Sequence, residues 1–269
     1  MLKPVKTIGA ILGFGLMLVM LSCVTTPTEP EFDNPLDPDI PDYVPPLTTL
    51  TTEIAPTIHT SSLTLSWQGT TLQCEYAWRL DAQPYTDWLT DTTLTLDYLD
   101  EGDHAFEIKC RYPTGDEETT PLRVAFTVDA VPNQSLLLYP YRVEAVNGQP
   151  LVVELQAHGI TGLTALEVNL EYNGSSLRPD SALTGPFLAK DGGNIIAFRE
   201  VGTAWNVSTG VAQGPTTGVA GSGTILTYRF EVLSMANSTL TLTVVDARGP
   251  DDEAVSIATV RGGVVEVGE

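Results

Sequence analysis

The chain has 269 residues and a formal net charge of −21, with 34 acidic against 13 basic residues. An acid excess of that size repels nucleic acid and anionic lipid headgroups and excludes both as partners, leaving solubility or a basic partner as its use. The length suits one or two folded domains.

The first element in chain order is a leader. Lys3 and Lys6 make a basic start, and residues 8–21 are almost uninterrupted hydrocarbon. That run is shorter than the roughly 20 apolar residues a bilayer span needs. Its layout is that of a secretory signal peptide over residues 1–22. Met20-Leu21-Ser22 then precedes Cys23, an arrangement that resembles the lipobox of bacterial lipoproteins, with Met20 where that family usually has Leu. The resemblance implies that Cys23 is the lipidated first residue of an exported chain. It would be anchored to a membrane of the bacterial cell envelope, at the outer membrane or cell surface, through acyl chains worth about 0.8 kcal/mol per buried CH₂. Residues 23–46 carry seven prolines between Val24 and Pro46, several acids and few large apolar groups. Such a composition cannot bury enough surface to offset its ordering entropy, so a disordered stalk is expected.

Beyond the stalk the chain alternates short runs rich in Val, Ile, Leu, Thr and Tyr with Gly, Pro, Asn and Asp breaks. This pattern predicts an all-β protein. In residues 47–131, "SLTLSW", "CEYAWRL", "TLTLDYL", "AFEIKCRY" and "RVAFTV" each place apolar side chains on every second position, for six or seven strands. Trp67, Trp78 and Trp88 are expected to pack inside this block. The block resembles the immunoglobulin-like and fibronectin type III-like modules of bacterial surface proteins, which implies a two-sheet sandwich. In that topology the strands of Cys74 and Cys110 are sheet neighbours, and alternation puts both cysteines on the apolar face. The pair is either a disulfide, which an exported protein can keep, or two buried free thiols.

"VDAVPNQ" reads as a short linker, and a second block runs over residues 135–269. "YRVEAV", "LVVELQA", "LTALEVNLEY", "NIIAFREV", "TILTYRFEVL", "TLTLTVVDARG" and "GGVVEV" belong to about nine expected strands, with "STGVAQGPTTGVAGSG" as a Gly/Thr-rich loop. Leu166, Val168 and Leu170 share one face of their run. Leu226, Tyr228, Phe230 and Val232 point inward on theirs, so two packed sheets are predicted. Residues 141–267 resemble the cohesin family through "GQPLVVELQAHGITGLTALEVNLEYNGSSL", "GSGTILTYRFEV" and the closing "TLTVVDARGPDDEAVSIATVRGGVVEV". The resemblance implies a nine-stranded jelly-roll sandwich that binds dockerins, small calcium-loaded helical modules of carbohydrate-active enzymes, on one outer sheet face. Type I cohesins carry Asn and Asp contacts two residues apart on the third strand. Ala165 and Glu167 stand there in this chain, so the carboxylate is kept and the amide lost. Asn169, Glu171, Thr227, Arg229 and Glu231 are the neighbouring outward groups.

No motif for catalysis accompanies these sandwiches. His59, His104 and His158 are scattered, and no metal-ligand spacing, nucleophile elbow or P-loop occurs. A non-catalytic protein without cofactors is expected. "VDARGPDDEA" gathers Asp246, Asp251, Asp252 and Glu253 near a turn, a weak Ca²⁺ candidate against a solvated acidic loop. Trp205, the second block's only tryptophan, is the candidate for stacking on a sugar ring if the domain binds polysaccharide directly; otherwise it fills the core. The remaining alternative is a structural spacer.

Overall fold

The computed structural model describes residues 34–213 and 217–268, and every regular element among them is a β-strand. The leader, Cys23 and the first part of the stalk lie outside the described residues. Residues 34–43 form a small unit of their own, distinct from the unit that starts at Val44. Contrary to a featureless stalk, they run through successive turns, with Asp37 N–H donating to the Asn34 carbonyl, Ile40 to Asp37 and Tyr43 to Ile40. The reason is local: the Asn34 side chain accepts the Leu36 N–H at 3.1 Å, and Asx and proline residues favour such turns without any core.

The first sandwich contains β1 (Thr48–Leu50), β2 (Thr57–Ile58), β3 (Leu63–Gly69), β4 (Glu75–Leu80), β5 (Thr93–Leu96), β6 (Gly102–Arg111) and β7 (Leu122–Val128). Three strands, in the order β1-β3-β5, face four in the order β2-β7-β6-β4. The inward positions are those alternation predicts: Leu65, Trp67, Tyr76, Phe106, Ile108 and Phe126 are all buried. Trp67 packs against Tyr76 and Phe106, and Trp78 stacks on Phe106. Trp88 departs from the expectation. It lies half-buried on the outer face of β4 and β6 under the cations of Lys109 and Arg111, 4.9 and 4.5 Å from its ring. Cys74 and Cys110 are buried free thiols. Tyr76, not Cys74, stands opposite Cys110 in the β4–β6 register, which leaves Cys74 a diagonal step away. The Cys74 thiol is nonetheless a hydrogen-bonding neighbour of Cys110. Burial pushes the Cys110 thiol up to about 12 and keeps it protonated.

One buried charge organises the outer face of this sandwich. Glu107 accepts hydrogen bonds from Arg79 at 2.6 and 2.9 Å, from the Tyr85 hydroxyl at 2.9 Å and from Arg123 at 2.8 Å. The Arg79 bonds hold its carboxyl below the usual range against the opposing effect of burial. Glu107→Ala should lower stability by about 1–3 kcal/mol in urea titration, because three donors lose a common acceptor.

The second sandwich contains β8 (Ser135–Tyr139), β9 (Arg142–Val146), β10 (Pro150–Leu163), β11 (Ala165–Glu171), β12 (Leu177–Thr184), β13 (Asn194–Val201), β14 (Trp205–Gln213), β15 (Val219–Val232), β16 (Ser238–Arg248), β17 (Thr259–Arg261) and β18 (Gly263–Gly268). A five-stranded sheet, β12-β15-β10-β8-β17, packs on a six-stranded one, β13-β14-β11-β16-β18-β9. Eleven strands replace the expected nine because the first and last segments each cross between sheets. β8 and β17 pair in parallel in one sheet, and their continuations β9 and β18 pair in parallel in the other. Pro140, without an N–H, interrupts the first crossing strand. Gly262 interrupts the last, where a Cβ would stand 2.2 Å from the Leu240 carbonyl oxygen. The expected Gly/Thr-rich loop is mostly strand: its residues form the end of β14 and the start of β15. Along β14, Trp205, Val207 and Thr209 turn inward while Asn206, Ser208 and Gly210 turn outward.

Between the sandwiches lies a built seam. Glu101 accepts a hydrogen bond from Arg261 at 2.7 Å, each side chain being 10% exposed. The other Glu101 oxygen receives the N–H groups of Ala130 and Val131 at 3.0 and 3.4 Å. The Asp100 carboxylate accepts the Tyr141 N–H at 2.7 Å. The Tyr141 ring lies 4.5 Å beneath the Arg261 guanidinium and meets Tyr98 edge-on at 5.2 Å. Glu101 therefore holds the Ala130 and Val131 amides in the segment that joins the two sandwiches.

Candidate functional site

The outer face of β13, β14, β11 and β16 carries exposed apolar side chains beside a hollow. Strand register lines up three rows of outward residues. Arg248, Ala165, Gly210 and Ile196 make one, and Asp246, Glu167, Ser208 and Phe198 the next. Thr243, Asn169, Asn206 and Glu200 make the third. Small residues occupy the middle strands. A Cβ on Gly210 would approach that of Ala165 to 3.3 Å, so the floor stays low. A hollow of about 330 Å³ results, bounded by Ile196 and Phe198 on one side and by Glu167, Asp246 and Arg248 on the other. Phe198 is 71% exposed and Ile196 48%, on a strand that forms the edge of its sheet. Exposed apolar groups on an unpaired edge are a feature that proteins without a use for it suppress.

The polar half of the face is pre-arranged. Asn206 donates to Glu167 at 3.0 Å and to Asn169 at 2.9 Å. Arg248 donates from Nε to both Asp246 oxygens at 2.8 and 2.9 Å. Carboxylates outnumber cations among the residues of the three rows.

The structure brings together only part of the predicted partner face. Ala165, Glu167, Asn169 and Glu171 lie on β11. Thr227, Arg229 and Glu231 lie on β15, in the opposite sheet, where Glu231 pairs with Arg178. The two sets point away from each other and cannot meet one partner surface. Both strands alternate correctly, but alternation does not say which sheet a strand joins. Ile196 and Phe198 went unrecognised although a signal existed: "IIAF" is apolar on both faces of an edge strand that needs only one.

Of the two readings of Trp205, sugar platform or core, the structure takes the core. It is 2% exposed and meets Tyr228 and Phe230 edge-on at 5.2 and 5.3 Å. The acidic turn is engaged internally: Asp246 holds Arg248, Glu253 accepts the Asp251 N–H at 2.8 Å, and the Asp252 carbonyl accepts from Arg248 at 2.9 Å. Among the described residues no group of three His, Cys, Asp or Glu is placed to hold a metal ion.

No protein-family model matches the chain, and no curated protein matches it. Solved structures do. A non-cellulosomal cohesin of the archaeon Archaeoglobus fulgidus is 17% identical over 50% of this chain and 92% of its own, with a TM-score of 0.40. The sixth cohesin of Acetivibrio cellulolyticus scaffoldin B, solved with a mutant dockerin, is 18% identical over 50% and 98%, at 0.42. The OlpA cohesin of Clostridium thermocellum, solved in a type I cohesin–dockerin complex, is 12% identical over 49% and 97%, at 0.41. These are likenesses of fold alone.

Proposed function

We propose that the protein is a non-catalytic, exported lipoprotein of the bacterial envelope that displays a protein-docking face. Cys23 carries the lipid, the first sandwich acts as a spacer, and the outer face of β13, β14, β11 and β16 takes the partner. The observation that carries the reading is the exposed Phe198–Ile196 ridge beside a hollow edged by Glu167 and Asp246. An apolar anchor with charged groups at its border is the usual composition of a binding hot spot and its rim. The partner that fits is an amphipathic module presenting an apolar side chain and basic groups. The cohesin resemblance of residues 141–267 makes a dockerin-like module the first candidate, and with it a link to polysaccharide breakdown.

Capture from the producing organism's secreted proteins, followed by calorimetric titration of the captured module, tests this. Phe198→Asp should weaken binding at least tenfold, since losing a buried Phe removes about 1.5–3 kcal/mol, while the circular dichroism spectrum stays that of the parent. Equal affinity for the variant would refute the docking face. Retention of the protein on cellulose or xylan with no captured protein would favour direct glycan binding instead. Mass spectrometry of the membrane-extracted protein reads the anchor separately: a diacylated Cys23 is expected at its N-terminus.

A further inference from the structure

His104 lies on β6 beside the 100–101 turn that meets the second sandwich, and its two ring nitrogens have unusual company. Nδ1 lies 2.9 Å from Oδ2 of Asp81, just past the end of β4, and Nε2 lies 2.9 Å from the Asp100 carbonyl oxygen. The side chain is 10% exposed, and the ring stacks on Phe126 of β7 at 5.6 Å. A carboxylate and a carbonyl can only accept. Both nitrogens must therefore donate, which only the imidazolium does. Asp81 is fixed for this purpose by its other oxygen, which accepts the Ala105 N–H at 2.8 Å.

The Asp100 contact links the ring to the seam. The backbone of Asp100 receives the His104 proton, and its carboxylate receives the Tyr141 N–H of the second sandwich. The next residue, Glu101, holds Arg261 and the linker amides. We infer that His104 is a proton-operated latch on the joint between the two sandwiches, holding the 100–101 turn against the second sandwich while it carries two protons and releasing that turn when it loses one.

The surrounding charges favour the latched form. Asp81 and Asp100 are the acids that face the ring, Glu101 and Arg261 lie beyond Asp100, and neighbouring Asp103 is engaged by the Thr127 hydroxyl at 2.7 Å. Burial opposes the charge on His104, but the Asp100 carbonyl and the Asp81 carboxylate outweigh it and raise its pKa above 6.5. A raised folded-state value gives a definite sign. The stabilisation is fully present below the unfolded value and is lost as pH rises through the folded one. Burial also raises the Asp100 carboxyl, an effect that the Tyr141 N–H and the Arg261 and His104 charges counter. Loss of one proton leaves a single N–H for two acceptors; the charged Asp81 carboxylate is the stronger and keeps it, so the Asp100 carbonyl loses its donor.

Amide hydrogen exchange read residue by residue by NMR, corrected for intrinsic rates, tests the latch in the full chain. The Tyr141 amide should exchange about tenfold or more faster, relative to the core amides of Val153 and Val168, once pH passes the His104 titration. The His104 imidazole resonances should titrate above 6.5 in the same sample. In His104→Phe, which keeps the ring on Phe126 but has no donor, the Tyr141 amide should be fast at every pH. A Tyr141 amide that follows the core amides across the titration in the unmodified protein would overturn the latch, as would a His104 that titrates at or below 6.5. Both of those readings need only the parent chain.

Discussion

Trp205→Ala should strongly destabilise the second sandwich rather than blunt a binding site. The indole is almost wholly buried between the sheets, edge-on to Tyr228 and Phe230. Large-to-small changes of this kind remove the transfer free energy of the lost atoms and leave a cavity, for a total of about 3–5 kcal/mol when Trp or Phe becomes Ala. The edge-to-face pairs add about 0.5–1.5 kcal/mol each where they are intact. The expected result is a large drop in the urea midpoint of the second sandwich. Phe remains the best-tolerated replacement because it keeps an aromatic face toward both neighbours. Retained stability in Trp205→Ala, with loss of adsorption to xylan, would move the side chain back to the surface. The result also bears on Phe198→Asp: one aromatic is spent on packing and the other is displayed, so the first variant should fail in denaturant and the second in titration.

Much of this architecture was legible in the sequence because period-2 alternation is a local signal. Leu65 and Trp67, Phe106 and Ile108, Leu166 to Leu170 and Leu226 to Val232 are buried as that alternation requires. The strands that escaped it have identifiable reasons. β8 is buried at four successive positions, Ser135 to Leu138, and shows no alternation. β12 contains Arg178, Pro179 and Asp180, and its register shifts at the proline. β14 alternates, but its outward residues are Asn, Ser and Gly, which read as a loop when taken by composition. What alternation could never give is sheet membership. β11 and β15 have the same pattern, yet they belong to different sheets and lie back to back. Half of the predicted partner face was lost on that point. Ala165, Glu167, Asn169 and Glu171 stay on one face because β11 alone supplies them, between β14 and β16.

The seam was invisible for a different reason, and it gives the second large effect. Glu101 and Arg261 are 160 residues apart in the chain, and neither lies in a pattern that local reading would single out. Removing either alone should destabilise the protein by about 3–5 kcal/mol, because the survivor is left as an uncompensated buried charge. Arg261→Ala should be severe on two further counts. The guanidinium covers the Tyr141 ring at 4.5 Å, and Glu101 would keep only the Ala130 and Val131 amides as partners. The double variant Glu101→Gln/Arg261→Met should recover much of the loss, since a buried pair replaced by well-packed neutral groups is often neutral or better. A double-mutant cycle in urea, with Tyr141 amide exchange as a second readout, separates the ion pair from the packing. Additive losses in the cycle would mean that the two residues do not act as a pair. A strong coupling accompanied by an unchanged Tyr141 amide would place the pair inside the second sandwich's stability but outside the joint. Coupling in both readouts is the result the geometry requires: one carboxylate holds the last strand of the five-stranded sheet, β17, and the chain that enters the second sandwich.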